Sequence, residues 1–130
     1  MTAAYQDGQN EQRLLVTGSR DWDDEIAIFS AVASVAIPPE SWTLVSGACP
    51  TGADRIAEEF AEGLGMTVER HPADWNRHGK SAGFRRNSEM VELGAEVCLA
   101  FIKNGSKAAS HTAGLAEKAG IETIRIEVQS

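Results

Sequence analysis

Leu14-Leu15-Val16-Thr17-Gly18-Ser19-Arg20 is a short, largely apolar run halted by a glycine, and residues 23–36 beyond it carry Ile26, Phe29, Ala33 and Ala36 near helical spacing. This reads as a strand, a turn and a helix, and the same unit recurs along the chain. Pro38-Pro39 stops the first helix, residues 42–46 form a second apolar run, and Thr51-Gly52-Ala53-Asp54 resembles a capping box opening a helix that runs through Leu64 to Gly65. A third strand is predicted over residues 67–71, a long loop over 72–81, and a helix over 82–93 stopped by Gly94. Residues 97–102 are the most apolar strand, followed by a loop over 103–110, a helix ending at Gly120 and a strand over 122–128.

Strands alternating with helices imply parallel pairing through right-handed crossovers, hence a three-layer α/β domain of Rossmann-like type with five strands. Thr67-Val68-Glu69-Arg70 and Thr123-Ile124-Arg125-Ile126-Glu127-Val128 interleave polar residues, whereas the other three strands are apolar runs. Amphipathic strands belong at less buried edges, and the order 3-2-1-4-5 puts the third and fifth there, where 2-1-3-4-5 would expose the second. The topological switch then lies between strands one and four, bordered by Gly18-Ser19-Arg20 and residues 103–110, and a ligand is expected in that crevice.

The 130 residues suit one domain, predicted over 13–130 behind a disordered polar tail over 1–12. That tail lacks the basic start and apolar core of a signal peptide, and no apolar run is long enough to span a bilayer. Cys49 and Cys98 stand far apart, the second in an apolar run, which suggests neither a disulfide framework nor a zinc cluster. A cytoplasmic protein without a membrane anchor is expected. A net charge of −7 argues against nucleic acid as a partner, because such affinity comes largely from neutralising phosphates. Yet Arg70, Arg77, Lys80, Arg85 and Arg86 stand against a single acid, Asp74, between positions 70 and 86. An acidic chain carries a local basic patch.

Gly47-Ala48-Cys49-Pro50-Thr51-Gly52-Ala53-Asp54 has the glycine spacing of a phosphate-binding P-loop, but Ala53-Asp54 replaces the Lys and Ser/Thr that hold phosphate and magnesium. It fits either a glycine-rich turn aiming a helix N-terminus at an anion or a tight turn with Asp54 as a capping partner. Gly18-Ser19-Arg20 offers a close backbone, a hydroxyl and a guanidinium, or simply a turn with a surface arginine. In the stretch from Asp74 to Asn87, Arg85 and Arg86 occupy the first turns of a helix, where the dipole disfavours cations unless an anion lies nearby. Trp22 and Trp75 each follow an aspartate and suit either base stacking or packing under a loop. His71, His78 and His111 lack metal-ligand spacing, and serine-hydrolase and dinucleotide fingerprints are missing, so neither metal nor cofactor is expected.

Three motifs taken together, Val16-Thr17-Gly18-Ser19-Arg20, Ser46-Gly47 with Gly52-Ala53-Asp54-Arg55, and Gly79-Lys80-x-Ala82-Gly83-x-x-Arg86-Asn87, resemble the YspA-like branch of the SLOG superfamily, found in bacteria and their phages. Relatives include the lysine-decarboxylase-like phosphoribohydrolases and the DNA-processing protein DprA. The resemblance implies a nucleotide or nucleotide-derived ligand, and dimers are common among such relatives. In the phosphoribohydrolases an Arg-Lys pair and a Pro-Gly-Gly-x-Gly-Thr-x-x-Glu loop carry the chemistry. Arg86-Asn87 is similar to the pair, while residues 103–112 keep one glycine, Gly105, and Thr112 stands where the catalytic Glu would be. A carboxylate is needed there to stabilise a cationic sugar or activate water, so hydrolysis is expected to be absent or very slow.

The reading that follows is a binding or sensing module for a small nucleotide-like ligand. Gly18, Ser19, Gly105 and Ser106 approach it, with Gly47 and Gly52 in the second loop; Arg20, Lys80 and Arg86 neutralise its phosphate beside Asn87, and Asp54 receives ribose hydroxyls. An N-glycosidic hydrolase using the same pocket, a phage or bacterial protein-interaction module with a vestigial pocket, and single-stranded DNA binding stand as rivals.

Overall fold

The computed structural model describes residues 12–129. The expected polar tail lies outside them except for Gln12, which opens the first strand. The elements are β1 (Gln12–Gly18), α1 (Glu25–Val35), β2 (Trp42–Ser46), α2 (Gly52–Leu64), β3 (Thr67–Arg70), α3 (Trp75–His78), α4 (Ala82–Leu93), β4 (Val97–Lys103), α5 (Lys107–Lys118) and β5 (Glu122–Val128). Single 3-10 turns at Pro39–Ser41 and Gly79–Ser81 lead into β2 and α4.

The five strands form one parallel sheet in the order β3-β2-β1-β4-β5, as the amphipathic edges predict. Alternation along the central strands sends side chains to two cores. Leu14, Val16, Leu44, Leu99 and Phe101 meet Ile28 and Val32 of α1 and Ala53, Ala57 and Ala61 of α2. On the opposite face Leu15, Val45 and Cys98 meet Met90 and Val91 of α4 and Ala116 of α5, while Ala100 and Ile102 pack on Ala109 and Ala113. The alanines let α2 and α5 lie close to the sheet, and each buried Leu or Ile contributes roughly 1.5–3 kcal/mol of transfer free energy.

Several local expectations are revised. The buried stripe of α1 is Ile28 and Val32, while Ile26 is 74% exposed and Ala33 faces solvent. Packing against α2, where Phe29 stacks on Phe60 at 4.4 Å, sets the helix's rotation. The Thr51 capping box does not form: its hydroxyl donates to the Arg20 carbonyl at 3.1 Å, and Asp54 turns back to accept from the Cys49 N–H at 3.3 Å. Residues 72–81 are not plain loop, because Asp74 accepts from the Arg77 N–H at 3.1 Å and caps the short α3. The last helix begins at Lys107, inside the expected 103–110 loop, with Ser106 as its N-cap. Trp22 is no stacking platform: it is 2% exposed and lies edge-on to Phe101, with ring centroids 5.3 Å apart.

Candidate functional site

Because every strand runs the same way, the loops after β1, β2, β3 and β4 gather at one edge of the sheet, where open α/β sheets bind ligands. Two of them are bolted together. The Ser19 N–H donates to the Phe101 carbonyl at 2.9 Å, the Lys103 N–H donates to the Ser19 hydroxyl at 2.8 Å, and the Ala53 N–H donates to the Ser19 carbonyl at 3.2 Å. Gly52 sits at φ +75°, and a Cβ there would fall 2.3 Å from the Ser19 carbonyl oxygen, so this junction needs glycine. The Lys103 ammonium donates to the Asp21 carbonyl at 3.2 Å and pairs with Asp23 at 3.5 Å. Ser19 and Lys103 thus tie the β1 loop to β4, and the cleft that remains is bordered by Gly18 and Arg20 on one side and by Ala108, within residues 103–110, on another.

This open space lies on the α4 side. A cleft of about 140 Å³ has Thr17, Gly18, Asp54, Asn87 and Met90 among its buried or half-buried walls and Arg20, Trp75, Lys80 and Phe84 on its exposed rim. A neighbouring groove of about 370 Å³ runs along the main chain of Gly47, Ala48, Cys49, Pro50, Pro72 and Ala73 and shares Arg20, Trp75 and Arg86 with the cleft. Larger hollows exist on α5 alone, at about 590 Å³, and between α1 and α2, at about 390 Å³, but neither gathers cations. Size is therefore a poor guide here, and the chemistry of the lining decides.

Arg86, in the second turn of α4, organises this region. Its Nη1 donates to the Gly47 carbonyl and, at 3.3 Å, to the His71 carbonyl, while Nε donates to Asn87 Oδ1 at 2.6 Å. A Cβ at Gly47 would lie 2.8 Å from the guanidinium carbon, so glycine permits the approach. Burial pushes the Arg86 pKa down against the opposing pull of Asp54, and the nearby Arg20 pushes it down further. Asp54 is 7% exposed; burial raises its pKa from 3.8 to about 6, opposed by the Cys49 N–H and by Arg86. It is the one carboxylate lining either the cleft or the groove. Arg20 and Lys80 are exposed and form no ion pair among the described residues; Arg20 instead lies over the Trp75 ring, 5.9 Å from its centroid.

Of the residues singled out from sequence, Gly18, Arg20, Asp54, Lys80, Arg86 and Asn87 line the cleft, and Gly47 lines the groove. Gly52 and Ser19 lie just behind as packing and tethering groups, and Gly105 and Ser106 stand apart, the latter accepting from the Ala109 N–H at 3.4 Å. Arg85 points to Ser81, its Nε donating to the hydroxyl at 3.1 Å. Thr112 is wholly buried and its hydroxyl donates to the Ala108 carbonyl, so it does not face the cleft. Sequence reasoning overlooked Phe84 and Met90, and gave Gly83 no role beyond the family motif. A Cβ at Gly83 would sit 3.5 Å from Trp75 Cη2, and a glycine inside a helix two positions after the end of the tryptophan-bearing loop is the signal that could have marked that contact. It also overlooked the brace in which Glu69 accepts from Arg13 at 2.7 Å and His71 at 2.5 Å, which fixes β3 below the site.

A family model described as the YspA, cpYpsA-related SLOG family matches residues 12–78, just over half of the chain. The chain belongs to that family. The SLOG match takes in the β1 loop, the β2 loop and α3, and it stops short of Lys80, Arg86 and Asn87. A relative of this SLOG chain, the gene 61 protein of Mycobacterium phage D29, is 44% identical over 119 residues, covering 87% of the chain and 94% of the phage protein. No solved structure matches the chain. The SLOG assignment suggests a nucleotide-related ligand-binding role. Among the described residues no helix is long and apolar enough to cross a membrane, and no group of three or more His, Cys, Asp or Glu is placed to hold a metal ion.

Proposed function

We propose that this SLOG protein binds a small phosphate-bearing ligand of the nucleotide class in the cleft between β1, α2 and α4, acting as a binding or sensing module. One observation carries the reading: Arg20, Lys80 and Arg86 converge on one cleft in a chain of net charge −7, with a single, buried carboxylate among them. Cations held this close repel one another, and an anion removes that cost while gaining charge-assisted hydrogen bonds. Asp54 and Asn87 offer acceptor and donor groups suited to sugar hydroxyls. Arg86 is tied to two carbonyls, so Arg20 and Lys80 are the cations free to move onto a phosphate. Hydrolysis of an N-glycosidic bond is the weaker reading, because Thr112, in the place of the catalytic acid of the phosphoribohydrolase relatives, is wholly buried.

The test is calorimetric titration of the full chain with nucleoside 5′-monophosphates and ribose 5-phosphate, for the wild type, Arg20→Ala and Lys80→Ala. Each charge-assisted contact is worth about 1.5–3 kcal/mol, so each variant is expected to bind about ten- to a hundredfold more weakly with unchanged thermal stability. Equal binding by all three proteins overturns the assignment.

A further inference from the structure

The rim of the cleft holds a large aromatic surface that packing does not explain. Of the three tryptophans, Trp22 is 2% and Trp42 6% exposed, as core residues are, whereas Trp75 is 51% exposed. It is nonetheless held in place: Asp74 caps the four-residue α3 that bears it, and the α4 backbone at Gly83 passes close to the ring tip. Its ring borders both the 140 Å³ cleft and the 370 Å³ groove, with the Arg20 guanidinium over one face. The cleft alone is smaller than ordinary small-molecule sites of roughly 300–1,000 Å³, while the adjoining groove, at about 370 Å³, falls within that range. A ligand using both compartments must pass the Arg20–Trp75 pair.

We propose that Trp75 is the base-binding residue of the site: the ligand's planar base stacks on the indole at the junction of cleft and groove, with Arg20 closing over it, while the phosphate meets Lys80 and Arg20. This deepens the binding function proposed above and rests on it. Stacking on an exposed, fixed indole is open to any base, and a guanidinium on the far side adds cation–π attraction. The ligand is therefore a nucleotide rather than a sugar phosphate or inorganic phosphate.

Four nucleoside 5′-monophosphates, ribose 5-phosphate and inorganic phosphate are titrated into the wild type, Trp75→Ala and Trp75→Phe, followed by calorimetry and by tryptophan fluorescence, in which Trp75 is the exposed emitter. At least one nucleotide is expected to bind the wild type ten- to a hundredfold tighter than ribose 5-phosphate and to quench emission. Trp75→Ala should lose that preference and the quench while binding ribose 5-phosphate as before, and Trp75→Phe should keep most of the preference. If ribose 5-phosphate binds as tightly as every nucleotide, or if Trp75→Ala keeps the preference, the base-stacking role is overturned while the phosphate site stands. Failure of all six compounds to bind overturns both.

Discussion

Asp54 carries the acid–base character of the cleft. Burial raises its pKa from 3.8 to about 6, so the folded state holds its proton more tightly than the unfolded chain. The sign follows: relative to the ionised state it contributes roughly 3 kcal/mol of stability below pH 4, and this contribution falls as pH rises and is gone above about 6. Asp54→Asn should therefore unfold at higher denaturant than the wild type at pH 8 and show no such advantage at pH 4, which chemical denaturation at the two pH values measures. Arg86 has the opposite character. Its removal leaves the Gly47 and His71 carbonyls without their guanidinium donor, so Arg86→Ala should cost about 1–3 kcal/mol of stability as well as affinity. Arg86→Lys should recover little of it, since a single ammonium cannot reproduce the planar fork. Sequence alone suggested these residues for a ligand through the unfavourable placement of cations early in a helix. It could not reveal that Arg86 spends its donors on main-chain carbonyls, because that depends on where two distant loops come to rest.

At the scale of elements, the junction of β1 with α2 and β4 is what shapes the site. Ser19 gives its carbonyl to Ala53, its hydroxyl to the Lys103 N–H and its own N–H to Phe101, and Gly52 lies against it. Gly52→Ala places a methyl in backbone atoms at a positive φ and should destabilise the fold by about 1–3 kcal/mol, detected as a lowered denaturation midpoint with an unchanged slope. Element types and order were legible from apolar runs broken by Gly and Pro. The amphipathic pattern of residues 67–70 and 122–128 was enough to place β3 and β5 at the edges. Rotation of α1 was not legible, because Ile26 and Ile28 are equally apolar and only the Phe29–Phe60 stack decides which turns inward. That Ser19 would tie the β1 loop to β4 through its hydroxyl was also hidden, since it depends on where two strand ends distant in sequence come to lie.

For the molecule as a whole, a chain of net charge −7 gathers three cations against a single carboxylate in one cleft, so a phosphate-bearing ligand is favoured there. The proposed function fixes the location of binding as much as its affinity. It is tested most directly by following backbone amide resonances of the full chain during titration with a nucleoside 5′-monophosphate. Saturable shifts centred on Gly18 to Arg20, Gly47 to Asp54 and Trp75 to Asn87 are expected, with Gly105, Ser106 and the α1–α2 hollow nearly still. Saturable shifts centred on the α1–α2 hollow or on α5, or no saturable shift with any of the four nucleotides, would contradict it.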